Sequence, residues 1–404
     1  MSSPTVIGLT EAVLCSGAGA LSVPATLFGL ECLLGSRKAS AATTCQRPSG
    51  LRVGVLVPAH NEASDIATTL QSVMPQLQAD DRLLVIADNC TDATAGIARQ
   101  CGAEVTERSH ETQRGKGYAL DHGLAQLLSG PRVDIVVMVD ADCTLAPGAM
   151  DHLIRTCHDT QRPVQGRYLM RAPAGSPIKL KVAQFAWMIK NRIRPRGMQA
   201  LGWPCHLTGA GMAFPTQDLV GMPLASGNLV EDMQLGLDLS RAGKTVAYCD
   251  EAIVYSEFPT SEQGLSSQRQ RWEHGHLQTI LQQAPGLAMA ALKTGNVPLF
   301  GLALDLIIPP LTSLVMLMLA WFGLCVLFAA WSGQAAALIV SAWSLAWVVA
   351  GVSLAWARGG KDILSARELM GIGHYMASKF PVYFSFLTRR QVSWVRTHRK
   401  EGSE

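Results

Sequence analysis

Two aspartates separated by one residue, Asp140 and Asp142, close the run VDIVVMVDADCT at Val133–Thr144. The residues before them, Ile135–Val139, are apolar and mostly β-branched, the composition of a strand covered on both faces. Carboxylates at such a strand end repel and desolvate each other unless a cation or the donors of a ligand stand between them. Oxygen-only ligands suit Mg²⁺ or Mn²⁺, ions that keep waters and take up the phosphates of a substrate. A solvated strand-to-turn corner would show the same pattern, so the pair acquires meaning only from its neighbours.

Those neighbours repeat the arrangement. Val53–Val57 (VGVLV) reads as a buried strand ending in Pro58-Ala59-His60-Asn61-Glu62, and Leu83–Ala87 (LLVIA) as another ending in Asp88-Asn89-Cys90-Thr91-Asp92. Helical patterns follow at Ser64–Met74 and Thr94–Gln100. Buried strands alternating with helices predict a mostly parallel sheet covered on both faces, with ligands beyond the carboxyl ends of its strands. Glu62, Asp88 with Asp92, and Asp140 with Asp142 therefore reach one edge. Gln113-Arg114-Gly115-Lys116-Gly117 opens a helix through Leu128, where backbone N–H groups and an ammonium can approach a phosphate. The longer P-loop pattern is missing, which speaks against an ATPase.

Further along, Val164–Met170 predicts a strand and Ile178–Ile193 an amphipathic helix. The following Arg192, Arg194 and Arg196 read as a basic face near anionic lipid. His206–Phe214 sets Gly209 and Gly211 beside an apolar strand, where backbone can approach a ligand closely. Glu231 and Asp232 begin a helix through Ser240, at the positive end of its dipole. Gln268-Arg269-Gln270-Arg271-Trp272 offers either an interfacial anchor or a phosphate partner with a stacking plane.

The chain has 404 residues, 48% of them hydrophobic, and a net charge of +3, too long for one small domain. Ala12–Leu30, Leu306–Trp331 and Ala335–Ala357 carry no charge, and each is long enough to cross a bilayer. A cleaved signal is the alternative for the first, but no basic residue precedes it. Arg37, Lys38, Arg47 and Arg52 follow that span and predict a cytoplasmic location for the large domain. Ser332-Gly333-Gln334 makes a hairpin of the other two spans, returning the chain to the cytoplasm at Arg358 and Lys361. Ile372–Leu387, flanked by basic residues on both sides, is expected to lie on or re-enter the membrane surface. The ten cysteines show neither C-x-x-C pairs nor zinc-ligand spacing.

The gathered residues meet the needs of sugar-nucleotide transfer. A leaving nucleoside diphosphate requires cations, and an acceptor hydroxyl requires a carboxylate base. The order Pro58-x-x-Asn61-Glu62, Asp88-x-x-x-Asp92, Arg114-Gly115-Lys116-Gly117, Asp140-x-Asp142, Gly209-x-Gly211, Glu231-Asp232 and Gln268-x-x-Arg271-Trp272 resembles the membrane-integrated family 2 glycosyltransferases. These include the cellulose, hyaluronan, chitin-oligosaccharide and poly-N-acetylglucosamine synthases.

The resemblance covers about Leu51 to Trp272 plus the flanking membrane segments. It implies an α/β fold: a cytoplasmic, Rossmann-like GT-A domain with a mostly parallel sheet, plus transmembrane and interfacial helices. The expected boundaries are a transmembrane helix at 1–35, a linker at 36–50 and the GT-A domain at 51–280. An interfacial segment at 281–297, a transmembrane hairpin at 298–357 and an interfacial helix with basic tail at 358–404 complete them.

By the same resemblance, Glu62 and Asp88 hold the uridine and Lys116 lies near uracil and diphosphate. Pro58 and Asn61 belong to the nucleotide-sugar site, Asp140 contacts the nucleotide, and Asp142 holds the diphosphate through Mg²⁺ or Mn²⁺. Asp232, beside Glu231, acts as base for one inverting displacement. Gly209, Gly211, Gln268, Arg271 and Trp272 serve the acceptor and diphosphate. The implied donor is a UDP-sugar and the acceptor a saccharide or a lipid-linked one, at the inner face of a bacterial membrane. No nucleic-acid partner is expected. Gln-x-x-Arg-Trp suggests processive synthesis, whereas only three visible spans favour few additions or a lipid-linked acceptor. A transferase acting on a ceramide-like or polyprenyl-linked lipid stays open as the alternative, as does a non-catalytic, nucleotide-sensing membrane protein.

Overall fold

The computed structural model describes residues 4–37, 45–228, 230–259 and 261–370. The apolar stretch Ile372–Leu387 lies outside them. The first elements in chain order are α1 (Pro4–Gly35), β1 (Val53–Ala59), α2 (Ile66–Val73), β2 (Arg82–Asp88), α3 (Thr94–Gln100), β3 (Glu104–Arg108), α4 (Lys116–Leu128) and β4 (Ile135–Met138). There follow β5 (Thr144–Leu145), α5 (Ala149–Thr160), β6 (Val164–Arg171), α6 (Ile178–Met188), α7 (Arg194–Ala200), β7 (Met212–Pro215), α8 (Thr216–Leu219) and α9 (Glu231–Arg241). The last are β8 (Ala247–Glu257), α10 (Glu262–Thr294), α11 (Val297–Leu306), α12 (Leu311–Ser332), α13 (Ala336–Ala355) and α14 (Ala366–Met370). Two compact units result. Among the described residues, one takes 45–176 and Gly202–Gly275; the other takes the N-terminal helix, Pro177–Leu201 and 276–370.

The first unit is built on one eight-stranded sheet in the order β3-β2-β1-β4-β7-β6-β8-β5. Its β3-β2-β1-β4 half is parallel, with Leu56 opposite both Leu84 and Met138. The unbroken apolar runs are explained by burial on both faces: Val55, Leu56, Val57, Val136, Val137 and Met138 are wholly enclosed. Small residues let α4 close on this sheet. A Cβ at Gly54 would collide with the Leu127 side chain, and one at Gly123 would come within 2.5 Å of Ile86. Beyond β4 the direction reverses. β7 pairs antiparallel to β4 with Met138 opposite Met212, so the start of β7 lies beside the end of β4. β6 is antiparallel to β7 and parallel to β8, so β8 ends at the same edge as the parallel strands.

Among the described residues, the second unit contains three helices long and apolar enough to cross a membrane: Thr5–Gly35, Leu311–Ser332 and Ala336–Gly360. Their contacts use small residues, as expected where lipid leaves no hydrophobic drive between helices. A side chain at Gly17 would overlap Trp321, one at Gly29 would meet Trp347, and Gly351 lies against Phe28 and Cys32. The Trp321 indole donates to the Leu14 carbonyl at 3.1 Å.

Arg194 departs from the expectation of a lipid-facing basic cluster. It is buried, with Nε donating to Glu31 at 2.7 Å and Nη2 to Asp305 at 2.5 Å. Gly197, one turn later, is so close to α1 that a Cβ would overlap the Glu31 carbonyl. The chain reaches this contact through a wide π turn, Ile189–Ile193, which interrupts the single helix expected over Ile178–Ile193. Removing the guanidinium would strand two enclosed carboxylates, a class of defect that costs about 3–5 kcal/mol. Arg194→Gln is therefore expected to lower the melting temperature in detergent well below that of Arg196→Gln. Equal shifts would show that the buried cluster contributes no special stability.

Candidate active site

Each of the first two strands ends in an asparagine that turns the chain sharply. Asn61 and Asn89 have φ of 55° and 51°, a left-handed conformation that asparagine tolerates better than most side chains. The two loops are then braced together. Asn61 Oδ1 accepts from the Thr91 amide at 2.7 Å, and Asp92 accepts from the amides of Ala63 at 3.1 Å and Thr94 at 3.0 Å. Asn61 and Asp92 thus shape the edge, while Pro58, His60, Glu62 and Asp88 line the cleft beside it. One Asp88 carboxylate oxygen accepts from Arg108 at 2.7 Å, and the same Arg108 nitrogen donates to the Gln113 carbonyl at 2.8 Å.

The strand β4 delivers Asp140 and Asp142 to the same cleft. The turn is pinned from outside the strand: the Thr69 hydroxyl donates to the Ala141 carbonyl at 2.7 Å, and the Ser256 hydroxyl to Asp142 Oδ2 at 3.0 Å. Ligand atoms of Asp140, Asp142 and Cys143 fall within 4.8 Å of one another. Cys143 is fully enclosed, so the two carboxylates are the donors that face the cleft. Burial raises the affinity of Asp140 for a proton, Lys116 opposes this, and Asp142 adds to it; the outcome is a raised pKa. Paired hard oxygens under mutual repulsion fit a divalent cation such as Mg²⁺ or Mn²⁺.

Lys116 is the hub. Its ammonium pairs with Asp140, lies 3.8 Å from Glu231 and donates to the Gly209 carbonyl at 2.8 Å. Burial works to lower its pKa, but Asp140, Glu231 and Asp232 prevail and hold it above the usual range for lysine. Glu231 is pushed up to about 7 by burial, against the pull of Lys116 and with the help of Asp232. Asp232 Oδ1 accepts from the Met233 amide at 2.8 Å, the helix start fixing the side chain. Gly209 has φ of 102°, and a Cβ there would stand 3.2 Å from Asp232 and 3.5 Å from the Lys116 ammonium. A side chain at this position would crowd the cluster. The buried Gln165 fixes the loop from behind, donating to the Ala210 carbonyl at 2.9 Å and accepting from the Thr208 amide at 2.8 Å. Gly211 serves packing instead: its amide donates to Met138 at 3.0 Å, and a Cβ would strike Val254.

The helix α10 brings Arg271 to the cleft wall shared by Glu62, Lys116 and Asp142. Gln268 is buried, and Trp272 is half-buried on the same helix; neither lines this cleft. Residue patterns alone did not single out Arg108, Thr69, Gln165 or Ser256 for the site. Arg108 ends the edge strand β3, whose alternating polar sequence EVTER hides it. The hydroxyls and the amide carry no charge and no motif spacing that could mark them.

Known proteins resemble this chain in sequence and in fold. A family model described as glycosyltransferase like family 2 matches residues 49–275. A protein of Bacillus subtilis (strain 168) described as "Probable glycosyltransferase YdaM" is 24% identical over 248 residues, 57% of this chain and 56% of that one. The poly-beta-1,6-N-acetyl-D-glucosamine synthase of Staphylococcus aureus (strain COL) is 24% identical over 262 residues, 63% of this chain and 60% of that one. The matches thus span little more than half the length of these relatives. Among solved structures, a mannosyltransferase from Pyrobaculum calidifontis in complex with GDP-Man and Mn²⁺ superposes with a TM-score of 0.54. It covers 94% of this chain and 100% of its own at 18% identity, a likeness of fold. The sheet with its acidic edge is a GT-A domain, and the chain, matched over more than half its length, belongs to glycosyltransferase family 2.

Proposed function

We propose that this glycosyltransferase moves a sugar from a UDP-sugar to an acceptor hydroxyl with inversion, at the inner membrane face, and that it works in polysaccharide synthesis. The observation that carries the reading is the convergence of Lys116, Asp140, Gly209, Glu231 and Asp232 beside Asp142. The catalytic domain is assigned to 51–280, the spans to 1–35 and 298–357, and surface segments to 281–297 and 358–404. The basic residues after the first span, Arg37, Arg47 and Arg52, support the cytoplasmic orientation. The synthase relative in Staphylococcus aureus supports a saccharide acceptor.

In this mechanism Glu62 and Asp88 receive the uridine at the ends of β1 and β2. Asp88 keeps one oxygen on Arg108 and turns the other to an imide N–H of the base. Asp142, with Asp140 beside it, would hold Mg²⁺ or Mn²⁺, and the bound cation would supply positive charge to the leaving diphosphate. Lys116 and Arg271 flank the diphosphate with fixed positive charge. Asp232 accepts the proton of the acceptor hydroxyl while its oxygen forms a bond to the anomeric carbon. The bond from that carbon to the diphosphate oxygen breaks on the opposite side, and UDP leaves. Arg271 closes the site from α10, and the half-buried Trp272 beside it is assigned to the acceptor, while the enclosed Gln268 is not.

Three outcomes follow for full-length protein in detergent or nanodiscs. Asp232→Asn is expected to reduce sugar transfer by about 10²–10⁴-fold with UDP affinity retained; wild-type turnover would remove Asp232 from the role of base. Asp142→Ala should abolish the part of UDP binding that a chelator removes from the wild type. Persistence of that part, measured by calorimetry, would contradict the metal assignment. Trp272→Ala should impair transfer more than UDP affinity, and equal losses would mark it as an anchor. A panel of UDP-sugars, with products sized by mass, separates a saccharide product from a glycosylated lipid.

A further inference from the structure

The turn that bears Asp140 and Asp142 follows the last backbone bond to β1, Val139 N–H to the Leu56 carbonyl at 3.1 Å. It is closed by the Cys143 amide donating to the Asp140 carbonyl at 3.1 Å, with Cys143 Sγ 3.7 Å from Asp142 Oδ1. Two enclosed hydroxyls brace it from other elements. Thr69, 1% exposed, fixes the Ala141 carbonyl, and Ser256, 3% exposed, donates to Asp142 Oδ2 at 3.0 Å. The Ser256 contact is set by register. The two-residue strand β5 pairs antiparallel to β8 with Thr144 opposite Tyr255 and Leu145 opposite Val254. One step further along each strand, Ser256 stands across from Cys143 and reaches the carboxylate before it. The Ala146 amide, donating to the Ile253 carbonyl at 2.9 Å, locks the other end of this short ladder.

We propose that Ser256 is a positioning residue for the divalent cation: its hydroxyl fixes the orientation of the Asp142 carboxylate and thereby sets cation affinity. The inference rests on the reading of Asp142 as the cation's ligand. A carboxylate with one oxygen engaged by a rigid donor presents its remaining lone pairs in one direction, and the ion then need not order the side chain itself. Outer partners of this kind typically account for about 10–100-fold in metal affinity. Ser256 sits on a strand whose backbone pairing does not need the hydroxyl, so the effect is separable from folding. Ser256 lines a cavity together with Asp142, Thr144, Arg171, Tyr255 and Phe258.

The test is Mn²⁺ titration of full-length protein with saturating UDP, followed by electron paramagnetic resonance and calorimetry. Ser256→Val is expected to weaken Mn²⁺ binding by about 10–100-fold, and Ser256→Thr, alike in shape but keeping the hydroxyl, to stay within about threefold of wild type. UDP binding in the presence of chelator should be the same in all three proteins. Equal Mn²⁺ affinities for the Val and Thr variants overturn the proposal. So does an equal loss in both, which reports a packing defect. A wild type that binds UDP but no Mn²⁺ overturns the reading of the cleft, and the role of Ser256 falls with it.

Discussion

Four carboxylates, those of Asp140, Asp142, Glu231 and Asp232, gather about a single ammonium at one edge of a sheet. Charges of like sign about 4 Å apart repel by roughly 4 kcal/mol at the effective dielectric of a partly buried site. Burial first, and then the neighbouring carboxylates, draw Glu231 and Asp140 towards protonation, and Lys116 offsets this only in part. An arrangement of this kind persists only on a scaffold stiff enough to resist it. The scaffold is the buried half of the sheet, where β1 and β4 are enclosed by apolar neighbours on both faces.

The topology decides which residues share the crowded edge. Parallel strands alone would bring Glu62, Asp88 and the two aspartates after β4 together. The reversal at β7 adds the Gly209 loop, because an antiparallel neighbour of β4 must begin where β4 ends. The return of β8 to the parallel direction adds Ser256 from a third part of the chain. One sheet, with three changes of direction along its order, thus draws its site from positions nearly two hundred residues apart in sequence.

Much of this was legible in residue patterns and some was not. Val53–Val57, Leu83–Ala87 and Ile135–Val139 announced themselves as enclosed strands because both faces demand apolar residues, and Thr94–Gln100 was read with its observed bounds. β3 escaped notice because an edge strand with half-exposed residues alternates polar and apolar without a clear run. The acids of the site were visible through their spacing at strand ends. Their supports were not: Arg108, Gln165, Thr69 and Ser256 act through single hydrogen bonds across the fold. The burial of Arg194 is hidden from its residue pattern for a related reason. A basic residue among basic neighbours looks solvated or lipid-facing, and its two acidic partners lie 163 and 111 residues away.

That separation bears on how the membrane unit is made. The first helix is synthesised with Glu31 near its end, and at the pace of a ribosome roughly ten to thirty seconds pass before residue 194 emerges. Throughout that interval the carboxylate lacks the partner it holds in the finished fold, since the Arg194 guanidinium has not yet been made. Asp305 arrives later still, so the last tie is made only when most of the chain has been translated. Biogenesis of this helix is consequently a waiting game, in which a nascent polypeptide halted before Arg194 leaves Glu31 with no permanent mate.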